Sequence, residues 1–141
     1  MRLVVFATVA LAVAMTAEAR AGEVTVSVTG VAEPHGRIGC ALHGADDDFP
    51  MGRPSIPTQW VSPKNGRAEC RFADVAPGAY AVAVAHDLNG NGKTDTNLFG
   101  LPTEQWGVSR GVRPSLRAPR FAEAAFEVAG ASVEIAVEVA K

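Results

Sequence analysis

Pro77-Gly78-Ala79-Tyr80-Ala81-Val82-Ala83-Val84-Ala85-His86 is the stretch on which the fold turns. Tyr80, Val82 and Val84 fall on every second position, with alanines between them. A helix would scatter these side chains around its axis, whereas a strand gathers them on one face. The Pro-Gly pair in front is turn chemistry. Working outward, the same period recurs. Val24, Val26 and Val28 alternate with Glu23, Thr25, Ser27 and Thr29. Ile38, Cys40 and Leu42 alternate with Arg37, Gly39 and Ala41, and Ala68, Cys70 and Phe72 with Arg67, Glu69 and Arg71. The last stripes are Ala124, Phe126, Val128 and then Val133, Ile135, Val137, Val139, joined by Ala129-Gly130-Ala131, and they predict a closing hairpin. Ala122–Val128 is also rich in Ala and Glu, so a helix competes with the first of these two strands. Six half-apolar strands joined by turns predict an all-β chain: two antiparallel sheets packed face to face as a sandwich. A seventh, short edge strand fits within Gly44–Lys64.

The chain has 141 residues, 48% of them hydrophobic and 20% charged, with a formal net charge of −2. That length suits one domain. Such hydrophobicity with so little net charge excludes a disordered chain, and a pI near 5.9 leaves no basic excess for nucleic acid. Residues 1–19 read as a signal peptide: Arg2, an apolar run from Leu3 to Ala14, and the small-x-small cut at Ala17-Glu18-Ala19, with an alternative cut after Ala21. The apolar run is short for a membrane span, and no second one follows. The expected product is a periplasmic or secreted domain of residues 20–141, with no transmembrane segment. An oxidising compartment favours a disulfide between Cys40 and Cys70, both on apolar strand faces; two buried thiols are the alternative.

Asp87-Leu88-Asn89-Gly90-Asn91-Gly92-Lys93-Thr94-Asp95 is the most specific motif. Oxygen side chains stand at positions 1, 3, 5 and 9, with glycine at 6, as at the front of an EF-hand-type calcium loop. The expected calcium ligands are Asp87, Asn89, Asn91, the Lys93 carbonyl and Asp95. Position 12 departs from the pattern, being Leu98 where a bidentate carboxylate belongs, so Glu104 or Asp46 would have to close the shell. The alternative is a metal-free loop whose Asx turns satisfy its own amides.

Phe72-Ala73-Asp74-Val75-Ala76-Pro77-Gly78-Ala79-Tyr80 resembles the "pG.Y" strand start of transthyretin-like and carboxypeptidase-regulatory-like β-sandwiches. Continued through His86–Asn97 to Gly100-Leu101-Pro102-Thr103-Glu104-Gln105-Trp106-Gly107-Val108-Ser109, the chain resembles the bacterial secreted family labelled domain of unknown function 2141. The resemblance is dense from Pro77 to Ser109 and implies a prealbumin-like sandwich. It implies no activity. A comparable Asp-Asn-Asx-Gly-Asp loop binds calcium in some repeat modules of surface adhesins, where an acidic residue closes the loop.

His86 ends the Tyr80, Val82, Val84 face just before this loop. With Glu104 and Trp106 it could form a small polar site with an aromatic wall; alternatively it pins the loop to the sheet. His35, His43 and Cys40 make no convincing metal set. No Gly-x-Ser-x-Gly elbow is present, and Ser109 has no base at a meaningful spacing. A carboxylate pair could be drawn from Asp87, Asp95 or Glu104, at a separation that sequence does not fix. Trp60, Phe99 and Trp106 lie in irregular segments, as caps on the core or as anchors for a protein or glycan of the cell envelope. Arg110, Arg113, Arg117 and Arg120 read as a solvated loop. The expectation is a non-catalytic binding or structural module. The alternatives are an envelope interaction domain acting through the loop aromatics, and a small hydrolase using His86 and Glu104.

Overall fold

The computed structural model describes residues 19–141, so the expected signal peptide lies almost wholly outside the described residues. Eight strands form in chain order: β1 Gly22–Thr29, β2 Arg37–Gly44, β3 Gln59–Val61, β4 Ala68–Val75, β5 Gly78–Asp87, β6 Trp106–Val108, β7 Phe126–Val128 and β8 Val133–Glu138. A single helical turn, α1, spans Phe121–Ala124. One sheet has the order β4-β1-β8; the other has the order β3-β2-β5-β6, with β7 sharing the outer edge of β5. The period-two stripes are the inner faces of these sheets. Val24, Val26 and Val28 from one and Ile38, Cys40, Leu42, Val82 and Val84 from the other are at most 2% exposed and form one core. The architecture is an all-β, two-sheet sandwich.

A disulfide joins Cys40 of β2 to Cys70 of β4, with Cα atoms 6.4 Å apart. Since these strands belong to opposite sheets, the bond crosses the core. In β4 a bulge carries the chain past the alternation: Gly22 pairs with Val75 and Val24 with Phe72, and Asp74 takes a φ of 54°. The extra residue turns Val75 inward beside Phe72 and leaves Asp74 in water.

Two expectations are corrected. The closing hairpin does not form: β7 pairs antiparallel with β5, and β8 crosses to the other sheet to pair with β1. That second pairing is parallel, so the sheets are not wholly antiparallel. The helix and the strand expected over Ala122–Val128 both occur, one after the other. Arg120 and Glu123 close α1 at its start, and extended backbone resumes at Ala125.

The alanine face of β5 is also covered. Ala81 packs with Val108 and Ala124, beneath Phe49, Trp106 and Phe121. The edge strand expected within Gly44–Lys64 is β3, which pairs with β2. Gly39 opposite Trp60 makes that pairing possible, because a Cβ at Gly39 would lie 2.6 Å from the indole.

Candidate functional site

The C-terminal end of β5 meets three other segments at one end of the sandwich. These are the β1–β2 connection, the turn before β4, and the long excursion 88–105 that returns into β6. Val31 N donates to the Gly66 carbonyl at 3.1 Å. Gln105 Nε2 donates to the carbonyls of Gly30 and Val139, and its Oε1 accepts from Ala32 N. One buried amide thereby fastens three chain segments.

His86 is 1% exposed and Nε2 lies 2.7 Å from the His35 carbonyl. Since a carbonyl only accepts, that nitrogen carries the proton. Nδ1 is buried without a partner among the described residues. Asp87 is also 1% exposed. Its carboxylate accepts from Gly92 N at 2.8 Å, Asn91 N at 3.1 Å and Arg37 Nε at 3.2 Å. Burial alone would raise its pKa. The Gly92 amide, the Arg37 guanidinium and the amides of Gly90 and Asn91 outweigh that and hold it below the usual carboxylate range. Glu104, 4% exposed, spans the excursion: Oε1 accepts from Leu88 N at 2.9 Å and Oε2 from Asp95 N at 3.3 Å.

Trp106 does not join His86. It pairs with Ala85, which puts its ring on the opposite face of β5, where Arg113 stacks over it at 4.0 Å. The expected wall of the polar site is therefore absent from that side of the sheet. Two surface hollows lie elsewhere, one between Gly22 and Gly130–Ser132, the other under Trp60 and Pro54–Thr58.

The expected calcium ligands lie close together. Asn89 Nδ2 and Asn91 Nδ2 donate to the two carboxylate oxygens of Asp95, at 2.6 and 2.7 Å. Asn89 Oδ1 accepts from Asn91 N, and Asn91 Oδ1 from Lys93 N, two successive Asx turns. Leu98, at position 12, is fully exposed and supplies no ligand. Among the described residues no group of three or more His, Cys, Asp or Glu is placed to hold a metal ion.

Other polar residues prove structural. Ser109 is fully buried; its Oγ accepts from Val82 N at 2.9 Å and donates to the Ala124 carbonyl at 2.7 Å. His43 is buried against Phe49 with both ring nitrogens unpartnered among the described residues, and burial lowers its pKa against the opposing pull of Asp47 and Asp48. It faces away from Cys40, as its odd spacing on the strand requires. Sequence reasoning missed Arg37, which bonds Asp87 and the Gly90 carbonyl and stacks on Trp60 at 4.2 Å. It also missed Gln105. Their partners are up to 75 residues away in the chain, so only a solved register could have revealed them.

Comparison with curated proteins and with solved structures finds no match for this chain. A family model does match, over residues 26–136, a span that runs from β1 into β8 and includes the whole 88–105 excursion. The chain belongs to that bacterial family, described as "Uncharacterized protein conserved in bacteria (DUF2141)".

Proposed function

We propose that the protein is an exported, non-catalytic module: a disulfide-stapled sandwich whose work is to hold the 88–105 excursion in a fixed shape. The observation that carries this reading is the engagement of His86, Asp87 and Glu104 with main-chain partners. A general base needs a lone pair facing a substrate. The one lone pair His86 keeps is on a buried nitrogen, and both oxygens of Glu104 hold amides of its own loop. This weighs against the hydrolase reading. Export rests on the sequence of the first 19 residues.

The same excursion is proposed to take calcium weakly. Supporting this are two Asn side chains and Asp95 already gathered around one point, with Asp87 fixed at the loop's start. Turning the Asn89 and Asn91 amides over would present oxygens where nitrogens now face Asp95, at the expense of the Asx-turn bonds from Asn91 N and Lys93 N. With two charged ligands and nothing at position 12, a dissociation constant on the order of 10⁻⁴–10⁻³ M is expected. Calcium at ten times that value stabilises by about 1.4 kcal/mol, a melting shift of roughly 3–6 °C. Thermal melting in millimolar calcium against a chelator tests this. Asp95→Ala should abolish the shift, and identical curves for the unaltered protein would overturn the calcium reading.

A second reading, contact through a loop aromatic, is favoured at one position. Trp60 and Trp106 each carry an arginine, whereas Phe99 is 87% exposed.

A further inference from the structure

We infer that Asn65 is a site of spontaneous deamidation, and that the Asp87 carboxylate guards the other two Asn-Gly pairs of the chain against the same reaction. The pairs are Asn65-Gly66, Asn89-Gly90 and Asn91-Gly92. Asparagine is among the thermolabile residues. In this reaction the glycine nitrogen loses its proton to hydroxide and attacks the side-chain carbonyl carbon of the asparagine before it. The new C–N bond closes a succinimide ring, and the side-chain amide leaves as ammonia, taking a proton from water. Water then opens the ring at either carbonyl, giving aspartate or isoaspartate. Glycine favours the attack because no side chain hinders the approach of its nitrogen.

Exposure does not separate the three, since Asn65, Asn89 and Asn91 are all exposed. Hydrogen bonding does. In the excursion both reacting groups are held. Gly92 N donates to the Asp87 carboxylate at 2.8 Å, and the Gly90 amide donates to the same group. Asn89 Oδ1 accepts from Asn91 N and Asn91 Oδ1 from Lys93 N, while Asp95 takes a hydrogen bond from each side-chain nitrogen. These bonds turn each side-chain carbonyl toward the amide two residues on, away from the nitrogen that would attack it. Removing the proton of Gly90 or Gly92 would also place an anion beside Asp87. Arg37, the cation beside them, is already paired with Asp87.

Nothing comparable restrains Asn65. With Gly66 it forms the two-residue turn before β4, at φ of 52° and 74°. Lys64 N donates to the Arg67 carbonyl at 2.8 Å and Arg67 N to the Lys64 carbonyl at 3.1 Å, which closes the type I′ pattern. That pattern leaves the Gly66 amide and the Asn65 side chain without partners among the described residues. Lys64 and Arg67 flank them and are exposed, and positive charge favours loss of the Gly66 proton. The product bears on the end of the sandwich. The Gly66 carbonyl accepts from Val31 N, and isoaspartate adds one atom to the main chain of a turn only two residues long.

The test is incubation of the protein in mildly alkaline buffer at body temperature, then reduction, digestion after glutamate and tandem mass spectrometry. Glu69 lies between the turn and the excursion, so they fall on different peptides. The amide-to-acid mass gain should accumulate at Asn65, in two products that chromatography separates as aspartate and isoaspartate. At Asn89 and Asn91 it should be at least about tenfold slower, the factor that one hydrogen bond to a charged group supplies. In urea the three rates should agree within about threefold, because no fold then holds the excursion. Asp87→Ala should speed conversion at Asn89 and Asn91 at least about fivefold and leave Asn65 unchanged. Should that variant not fold, the ratio of urea to native rates carries the test, at least about tenfold at Asn89 and Asn91 and within about threefold at Asn65. No conversion at Asn65, equal native rates at all three, or the same ranking in urea as in buffer would overturn the inference. So would a folded Asp87→Ala in which Asn89 and Asn91 convert as slowly as before.

Discussion

Asp87 shows how a residue that looks like a catalytic base serves the fold. Its carboxylate is nearly sealed from water, yet two loop amides and the Arg37 guanidinium make the charged form the favoured one. A carboxylate whose folded pKa lies below its unfolded value contributes stability above the unfolded pKa and loses it as pH falls through the folded one. Stability should therefore decline below about pH 4. Asp87→Asn should cost roughly 1–3 kcal/mol at neutral pH, by removing the charge that accepts from two loop amides and a half-exposed guanidinium, and should flatten that acid limb. Urea unfolding at neutral and acid pH checks both, and an unchanged acid limb would show that another group sets it. Ser109 teaches the same lesson: a hydroxyl that could be mistaken for a nucleophile completes the bonding of Val82 and Ala124.

At the scale of elements, α1 depends on one ion pair. Arg117 reaches both oxygens of Glu123, at 2.9 and 2.7 Å, while Glu123 also accepts from Arg120 N. The Arg117 hydrogen bonds, then the Arg120 amide, bring the Glu123 pKa down from 4.5 to about 2. Whatever this pair contributes is present above pH 4.5 and lost as pH falls toward 2. In Arg117→Ala the Glu123 carboxyl should titrate well above 2, nearer its ordinary value, as read by NMR of its side-chain carbon. A titration unmoved by the substitution would contradict the assignment. Element by element, most strands were legible because alternation is a local property: the stripes read from the sequence line the core, except that Ala124 falls in α1 and packs on the other face of β5, and the three-residue β6 is too short to show a period. Pairing is not local. Val128 and Val133 are a short turn apart, yet β7 and β8 go to different sheets, one of them parallel to β1. Periodicity carries no record of which neighbour a strand will find. The candidate site was legible to the same extent. The sequence placed His86 at the end of its strand and Glu104 near the loop, but put Trp106 on the same face as His86. Its pairing with Ala85 rather than His86 reverses that face.

For the molecule as a whole, the sheets are tied by the Cys40–Cys70 bond at one place and by Gln105 at one end, where His86 holds the β1–β2 connection and Glu104 holds the excursion together. The disulfide closes a separation of 30 residues, a constraint on the unfolded chain of about 3.5 kcal/mol. Cys40→Ala/Cys70→Ala should therefore melt roughly 10–20 °C lower while keeping its strand content. A loss below a few degrees would mean that packing alone holds the sheets together. The end of the sandwich is the part on which the functional account depends, because it treats His86 and Glu104 as clamps and not as catalysts. Amide hydrogen exchange by NMR, comparing the protein with Glu104→Ala, examines that claim most directly. The amides of Leu88 and Asp95 should exchange at least about tenfold faster in the variant, with the β2–β5 amides keeping their protection. Unchanged protection at Leu88 and Asp95 would contradict the account, and would leave the Glu104 carboxylate free for another task.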